Sequence, residues 1–256
     1  MTAWNANDYL RFGDERTRPA EDLASRIDVA GVSTAVDLGC GPGNSTQVIR
    51  RRWPCARVCG LDSSPSMIAA AGEAYPDQEW VLGDIAGWTS PEPLDLVFSN
   101  AALQWVPDHA RLVRRLFDHV APNGALAFQV PSADFAQVRA LIHEIAAHAA
   151  WDHRMDAARS ILTMEEPAVY YDALAPHARS IDMWETEYYH VLDAPAAIGD
   201  WISSTGLRPF LDALETDEDR GLFRSMLDVR IAETYERRGD GKVLYPFKRL
   251  FVIAYA

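Results

Sequence analysis

Hydrophobic and polar positions follow an alternating strand and helix rhythm over the first half of the chain. Five short apolar runs bounded by turn-forming or polar residues are typical of buried strands; they are TAVDL at 34–38, RVCGLD at 57–62, EWVLGD at 79–84, LDLVFSN at 94–100 and GALAFQV at 124–130. Helix starts lie between them, at Ser64-Pro65 ahead of SMIAAAGEA and at Asp108 ahead of HARLVRRLFDHV. Strands that alternate with helices predict a parallel sheet covered by helices.

The pattern changes after residue 130. The following stretches predict in turn a helix at 133–151, a strand at 179–192, a largely helical region at 195–238 and a closing apolar strand at 247–256. We expect one domain, because 256 residues suffice for one large core. Its expected parts are an N-terminal helical segment at 1–30, a first half at 31–131, and a second half at 132–256 with a helical insertion at 194–238.

Composition and charge narrow the function classes. The chain is 48% hydrophobic and 24% charged, as in an ordinary globular protein, and it has no uncharged apolar stretch as long as a membrane span. Its first residues lack the apolar core of a secretory leader, so we expect a cytoplasmic protein. A formal net charge of −13 argues against a broad nucleic-acid surface.

Neither the cysteines nor a pair of histidines in a helical stretch form a metal motif. Cys40, Cys55 and Cys59 are too few and too unevenly spaced for a disulfide framework or a zinc site of paired cysteines, so we expect buried thiols. His143 and His148 in HEIAAH lie five residues apart, one more than a zinc-binding helix requires. We therefore expect no metal.

The stretch VDLGCGPGNST at 36–46 predicts a ligand loop between the first strand and its helix. Its glycines are spaced as G-x-G-x-G, and Asn44 stands where a dinucleotide-binding loop would carry its third glycine, so the match to a nicotinamide site is imperfect. Asp37 lies two residues before Gly39. A carboxylate there would repel a pyrophosphate and attract an ammonium group, which favours a ligand with an amino acid tail.

Two further acids follow later strands. Asp62 ends the second strand, 25 residues after Asp37, where a carboxylate can accept both hydroxyls of a ribose. Asp84 follows the third strand and can accept a hydrogen bond from an exocyclic amine, while Ile85 packs against a base. Ammonium, ribose and adenine together indicate S-adenosylmethionine.

Four motifs in order carry a family resemblance. VDLGCGPG, GLDSSPSM, LGDI and FSNAALQWVPD resemble the successive motifs of the Rossmann-like S-adenosylmethionine-dependent methyltransferases. The resemblance implies an α/β fold with a seven-stranded, mostly parallel sheet whose last strand is antiparallel. It also implies that residues 31–131 bind the cofactor, with Asn100 near the methyl group. The implied cofactor residues are Asp37, Gly39, Cys40, Gly41, Asn44, Asp62, Ser63, Met67, Asp84, Ile85 and Asn100.

A second resemblance extends over nearly the whole chain. WNANDYLRFGDERTRPAEDL, YYDAL, MWETEYYH, DWISSTGLRPFL and YPFKRLFVIA resemble the trans-aconitate 2-methyltransferases. This implies methyl transfer to one carboxylate of trans-aconitate, giving a monomethyl ester and S-adenosylhomocysteine. Residues 132–256 would then lie on the substrate side, with the helical insertion covering the substrate.

A polycarboxylate acceptor requires cations, and arginine binds a carboxylate with two hydrogen bonds. Arg208 in TGLRP is the favoured candidate, because a turn inside the helical insertion can fold over a sheet edge. Arg16 and Arg18 in ERTRP are further candidates. The pocket walls are expected to include Tyr171, Trp105 and Trp201, although core packing is the alternative role for each aromatic residue.

No catalytic base is expected, because an ionised carboxylate has no proton to lose. Several other functions stay open at this point: a methyltransferase for another small carboxylate or for malonyl carrier protein, a nicotinamide-dependent oxidoreductase, and a non-catalytic S-adenosylmethionine-binding protein.

Overall fold

The computed structural model describes residues 13–133, 137–203 and 205–256. Within these ranges the chain forms two compact units. The unit that we call the sheet unit comprises residues 13–132, 163–186 and 249–256, and the helical unit comprises the described residues of 133–162 and 187–248. Residues 1–12 of the predicted N-terminal helical segment, and 134–136 of the predicted helix at 133–151, lie outside the described residues.

A seven-stranded sheet has the order β3-β2-β1-β4-β5-β7-β6. Strands β1 to β5 pair in parallel where they are neighbours, and β7 pairs with β5 in the antiparallel sense. This confirms the predicted mostly parallel sheet with an antiparallel last strand. The strands are β1 Thr34–Leu38, β2 Arg57–Asp62, β3 Glu79–Leu82, β4 Leu94–Asn100, β5 Val120–Pro131, β6 Ser180–Leu192 and β7 Val243–Tyr255.

Helices cover the sheet within the sheet unit; they are α1 Gly13–Arg26, α2 Asn44–Arg52, α3 Pro65–Ala74, α4 His109–Phe117 and α7 Pro167–Leu174. The helix starts that the sequence predicts are present. Pro65 occupies the first turn of α3, and the side chain of Asp108 caps α4 by accepting a hydrogen bond from the Arg111 amide at 3.4 Å.

The two faces of β5 and β7 pack against different layers. Even-numbered residues such as Phe128 and Val252 join a buried apolar cluster that includes residues of α4 and α7. Since side chains alternate along a strand, odd-numbered residues of β5 and β7 face the other side. Helix α1 packs against α2 and β5.

In the helical unit the described helices are α5 Gln137–Ala146, α6 Asp156–Ile161, α8 Ala196–Ser203, α9 Arg208–Asp212 and α10 Asp217–Thr234. The predicted largely helical stretch at 195–238 therefore contains three helices. The helix predicted at 133–151 is shorter, because the chain leaves it after Ala146. None of the helices in the described ranges combines the length and apolar character that a membrane span needs.

One expectation about the cysteines was wrong. Cys40 is buried and Cys59 is half-buried, but Cys55 is exposed. It lies in the short turn between α2 and β2, and such connecting segments run over the protein surface.

Candidate functional site

The glycine loop after β1 is held in close contact with two neighbouring segments. Gly39 has φ +76°, and a Cβ there would lie 2.1 Å from the Cβ of Ala102, beyond the end of β4. Gly43 has φ +99°, and a Cβ there would lie 2.7 Å from the Trp80 ring. Glycine is required at both positions by conformation and by space, so the loop is fixed against the segment that follows β4.

Asp37 is fully buried beneath this loop. Its Oδ2 accepts hydrogen bonds from Ser45 Oγ and Thr46 Oγ1, both at 2.6 Å, whereas its Oδ1 has no partner among the described residues. Burial raises the pKa of Asp37 to about 6; the charge of Asp62 adds to this and the two hydroxyl groups oppose it. An unsatisfied buried carboxylate oxygen fits a cationic donor such as an ammonium group.

Asp62 lies at the end of β2 and is oriented by the backbone. Its Oδ2 accepts a hydrogen bond from the Gly41 amide at 2.9 Å, and its Oδ1 accepts one from the Ser64 amide at 2.8 Å. Burial raises its pKa above the usual value, and these backbone bonds oppose the shift. Each oxygen keeps acceptor capacity, so the carboxylate can still accept two ribose hydroxyls.

The third acid differs from the first two because it is exposed. Asp84 Oδ1 accepts a hydrogen bond from the Ala86 amide at 2.8 Å, which forms a turn after β3. Ile85 beside it is 8% exposed and belongs to the buried apolar cluster. Asp84 is therefore an accessible acceptor, whereas the Ile85 side chain beside it is almost wholly packed in the core.

The remaining cofactor candidates lie around the loop. Ser63 is exposed, whereas Met67 in the first turn of α3 is 3% exposed. Burial raises the pKa of the Cys40 thiol, which therefore stays protonated and unreactive. Asn44 begins α2, and its Nδ2 donates to Thr17 Oγ1 on α1 at 3.3 Å.

Asn100 ends β4 beside a residue that the sequence analysis missed. Its Oδ1 accepts a hydrogen bond from Nε2 of Gln129 on β5 at 2.6 Å. Gln129 is fully buried and lies opposite Asn100 in the strand register. The available sequence signal for Gln129 was a polar residue in the apolar run GALAFQV. Its hydrogen-bond partner could not be predicted, because it depends on how β4 and β5 pair.

The acceptor candidates of the sheet unit differ in exposure. Arg16 on α1 is 9% exposed, Arg18 is exposed, and Trp105 ends a short 3₁₀ turn and is half-buried. Tyr171 on α7 is 53% exposed. These residues belong to the same unit as the glycine loop.

Arg208 and Trp201 belong to the helical unit. Arg208 begins α9, with its Nε 3.7 Å from Asp212 Oδ2 and its side chain 16% exposed. Trp201 is 3% exposed, and its ring centroid lies 4.3 Å from that of His190. The burial of Trp201 fits the packing role that the sequence analysis left open.

A buried arginine of β7 was also missed. Arg249 is 8% exposed and lies opposite Pro131 in the β5–β7 register, two residues along the strands from the Gln129–Phe251 pair. Its side chain therefore faces the same side of the sheet as that of Gln129. The sequence signal for Arg249 was a charged residue inside the apolar stretch FKRLFVIAYA. Its position near the end of β5 could be known only from the register of β7 against β5.

Methyltransferases are among the known proteins that this chain resembles. Residues 9–199 match a family model described as a methyltransferase domain. A trans-aconitate 2-methyltransferase of Azoarcus sp. (strain BH72) is 44% identical over 254 residues, with 99% of each chain covered. A trans-aconitate 2-methyltransferase of Methylobacterium radiotolerans is 44% identical over 257 residues, with 99% of this chain and 98% of that protein covered.

Solved structures share the fold at low sequence identity. The chain matches the YcgJ protein of Bacillus subtilis with a TM-score of 0.59 at 11% identity, over 93% of this chain and 98% of that chain. It matches geranyl diphosphate C-methyltransferase of Streptomyces coelicolor A3(2), solved with S-adenosyl-L-homocysteine, with a TM-score of 0.53 at 15% identity, over 94% of this chain and 76% of that chain.

Proposed function

Because the chain belongs to the methyltransferase-domain family, and within it to the trans-aconitate 2-methyltransferases, we propose that it transfers a methyl group from S-adenosylmethionine to a carboxylate of trans-aconitate. The products are the monomethyl ester and S-adenosylhomocysteine. The similarity of curated relatives over 99% of the chain carries the choice of acceptor.

The assignment of S-adenosylmethionine as methyl donor rests on Oδ1 of Asp37. S-adenosylmethionine has an amino acid tail, and its ammonium group would satisfy Oδ1 of Asp37, which is buried without a hydrogen-bond partner among the residues that the structure describes. Asp62 would accept the ribose hydroxyls, and the exposed Asp84 with the apolar Ile85 would hold the adenine. A pyrophosphate beside Asp37 and Asp62 would meet two carboxylates, which disfavours a nicotinamide dinucleotide.

When bound, S-adenosylmethionine supplies a methyl group on a positively charged sulfur. A carboxylate oxygen can attack the methyl carbon in line with the carbon–sulfur bond, and the sulfur leaves with the electron pair of that bond. The residues of the chain then act by alignment and by exclusion of water. Well-oriented reactants can supply roughly 7 to 11 kcal/mol of the barrier in this way. An ionised carboxylate carries no proton, so we assign no general base.

His109 illustrates why a base is not assigned. It is almost fully buried near the carboxyl edge of the sheet, and burial lowers its pKa. Its Nδ1 lies 2.5 Å from the Tyr170 hydroxyl and its Nε2 lies 3.0 Å from the Leu103 carbonyl oxygen. Both ring nitrogens are therefore used to join α4, α7 and the segment after β4.

The acceptor is anionic, so its binding depends on local cations in an acidic protein. Arg208 remains our candidate in the helical unit, together with Arg16 in the sheet unit. We add Arg249, which is buried on the sheet face that also carries Gln129. Tyr171, Trp105 and Trp201 stay proposed wall residues.

The proposal is tested by incubating the protein with S-adenosylmethionine and each acceptor separately. Mass spectrometry should detect S-adenosylhomocysteine and a monomethyl ester with trans-aconitate, and smaller amounts with cis-aconitate or citrate. Transfer to malonyl carrier protein but not to trans-aconitate would replace the acceptor. Calorimetric binding of NAD in preference to S-adenosylmethionine would overturn the methyl donor.

A further inference from the structure

Two side-chain amides meet where β4 and β5 end at the carboxyl edge of the sheet. Asn100 and Gln129 are Cα partners in the parallel register, and Nε2 of Gln129 donates to Oδ1 of Asn100 at 2.6 Å. Gln129 is fully buried and Asn100 is 8% exposed. The more deeply buried Gln129 therefore sets the orientation of the Asn100 side-chain amide.

This hydrogen bond gives the Asn100 amide a direction. Its oxygen is turned inward and accepts from Gln129, so the amino group is turned the opposite way. Among the described residues Nδ2 of Asn100 has no hydrogen-bond acceptor, and it is not a buried atom. A donor with two N–H groups therefore keeps its hydrogen-bonding capacity.

Gln129 makes an incomplete set of hydrogen bonds to hold this arrangement. Its Oε1 is buried without a partner among the described residues. An unsatisfied buried carbonyl-type oxygen is unfavourable. A leucine or methionine of similar size would avoid that cost, so packing alone does not explain a glutamine at this position.

The backbone beside Asn100 is also unusual. Ala101 has φ +55°, a left-handed conformation that alanine rarely adopts. Its amide donates to the Gln129 carbonyl oxygen at 3.0 Å, and its carbonyl oxygen accepts from Gln104 Nε2 at 2.7 Å. The next residue, Ala102, fills the space beside Gly39. The strained turn therefore fixes Asn100 beside the glycine loop.

We propose that Nδ2 of Asn100 donates a hydrogen bond to the acceptor carboxylate that receives the methyl group, and that Gln129 is a positioning residue that sets the direction of this donor. The inference rests on the proposed function, because it names the acceptor subsite of that reaction. One carboxylate oxygen is held by the amide, and the other is left to attack.

A neutral donor suits the reacting carboxylate better than an arginine. The negative charge of the carboxylate disappears as its oxygen bonds to the methyl group. A guanidinium would stabilise the charged ground state more than the transition state, which raises the barrier. An amide orients the oxygen with a weaker charge interaction. Arginines such as Arg249 are then suited to the carboxylates that do not react.

The cofactor also carries a carboxylate, in its amino acid tail, and Nδ2 of Asn100 could bind that group by the same chemistry. The two sources differ in which ligand is affected by a variant. If the acceptor is held, KM or kcat for trans-aconitate changes and the affinity for S-adenosylmethionine does not. If the tail is held, the reverse is expected.

The first test is Gln129→Glu, which keeps the side-chain size and reverses the hydrogen bond. An ionised Glu accepts from Nδ2 of Asn100, so the amide oxygen turns toward the acceptor carboxylate. We expect kcat/KM for trans-aconitate to fall roughly 10- to 150-fold, the range for a lost hydrogen bond to a charged group. The calorimetric Kd for S-adenosylmethionine should stay within about threefold.

The pH dependence of activity distinguishes a reversed hydrogen bond from a general loss of structure. Below its pKa the introduced Glu carries a proton and can donate to Asn100 again, so the relative activity of Gln129→Glu should recover as the pH falls. Gln129→Met removes the bond without reversing it, and should show a smaller loss that does not depend on pH. Melting curves on each variant report any loss of folding.

The second test is Asn100→Asp, which can be measured even if Gln129→Glu does not fold. The new carboxylate repels the acceptor when ionised and donates when protonated, so the same recovery at low pH is expected. Asn123→Asp adds the same charge at an exposed position in the first part of β5 and should leave activity unchanged.

Normal kcat/KM for trans-aconitate in folded Gln129→Glu and Asn100→Asp would overturn the inference. So would a weakened affinity for S-adenosylmethionine with unchanged acceptor kinetics, which assigns Asn100 to the cofactor's tail. A wild-type protein that does not methylate trans-aconitate overturns the proposed function, and this inference with it. An active wild type with unaffected variants overturns this inference alone.

Discussion

Two sets of polar side chains, one from each unit, differ in how they are paired. In the sheet unit, Asp37 and Gln129 are fully buried, and each keeps one side-chain oxygen without a partner among the described residues. In the helical unit, arginines join helices through acids of the same unit: Arg224 lies 2.8 Å from both Asp200 and Asp228. We infer that unpartnered polar groups near the carboxyl ends of strands, which we call open groups, take part in ligand binding, and that mutually paired groups on helices stabilise the fold.

Energetics explain why both arrangements persist. A buried acceptor without a hydrogen bond costs about 1 to 3 kcal/mol, and a ligand recovers that free energy on binding. Partly exposed ion pairs contribute only about 0 to 1 kcal/mol each, so their main effect is on how helices are oriented. The comparison predicts that variants of open groups change binding, and that variants of paired groups change stability.

Asp37→Asn should have the largest effect on binding. It removes the carboxylate that we assign to the ammonium group of S-adenosylmethionine, and breaking a buried charge pair costs on the order of 2 to 5 kcal/mol. The Kd should therefore rise roughly 30-fold to several thousand-fold by calorimetry. An unchanged Kd would refute the ammonium assignment.

The same variant should stabilise the ligand-free protein. The pKa of Asp37 is raised to about 6 by burial, so the folded chain retains a proton that the unfolded chain loses near its ordinary value of 3.8. Ionisation therefore lowers the stability as the pH rises through this window. The Asn side chain does not ionise and so avoids this pH-dependent cost. The Tm of the variant near neutral pH should therefore exceed that of the wild type by roughly 2 to 8 °C.

Arg208→Ala tests whether the helical unit also holds a functional cation. If Arg208 binds a carboxylate that is not methylated, kcat/KM for trans-aconitate should fall roughly 30-fold to several thousand-fold. The affinity for S-adenosylmethionine should stay within about threefold. A lower Tm with normal kcat/KM would instead place Arg208 among the structural arginines of its unit.

Asp62→Ala should weaken S-adenosylmethionine binding by about 1.5 to 3 kcal/mol, the scale of hydrogen bonds to a charged group. The loss is expected to be smaller than that of Asp37→Asn, because ribose hydroxyls are neutral. Calorimetry on both variants measures the difference. Equal affinity in Asp62→Ala and the wild type would remove Asp62 from the site.

Titration of Asp37 should make cofactor binding depend on pH. The ionised form binds an ammonium group, so lowering the pH from about 7 to 5 should weaken the affinity about tenfold for a pKa near 6. Asp37→Asn should abolish this dependence. With saturating cofactor, single-turnover rates should stay nearly flat from about pH 6.5 to 8.5, because no base is assigned.

Arg224→Met should have the smallest functional effect and so provides the matched control for the helical unit. Arg224 joins α10 to α8 through Asp200 and Ser203, and its side chain is a quarter exposed. We expect a Tm that is lower by roughly 2 to 4 °C. A kcat/KM reduced more than about threefold would show that paired arginines of this unit also serve the acceptor.

The sequence by itself determined the strands, the glycine loop and the acids near the carboxyl ends of β1, β2 and β3. These features are local: an apolar run sets a strand, and Asp37, Asp62 and Asp84 lie at or just after strand ends. Parallel pairing then brings the carboxyl ends of the strands to one edge of the sheet. The positions of these residues in the chain were therefore sufficient to predict a ligand site.

Only the tertiary structure decided the rest. The pairing of Asn100 with Gln129 joins residues 29 apart, and the place of Arg249 opposite Pro131 depends on the antiparallel register of β7. Periodicity gives the faces of a strand but not its partner or its register. The burial of Trp201 likewise depends on which distant side chains pack around it. The lack of a partner for Oδ1 of Asp37 depends on which groups lie near it. Packing and hydrogen-bond satisfaction are properties of contacts between separate segments, so a single segment of sequence does not determine them.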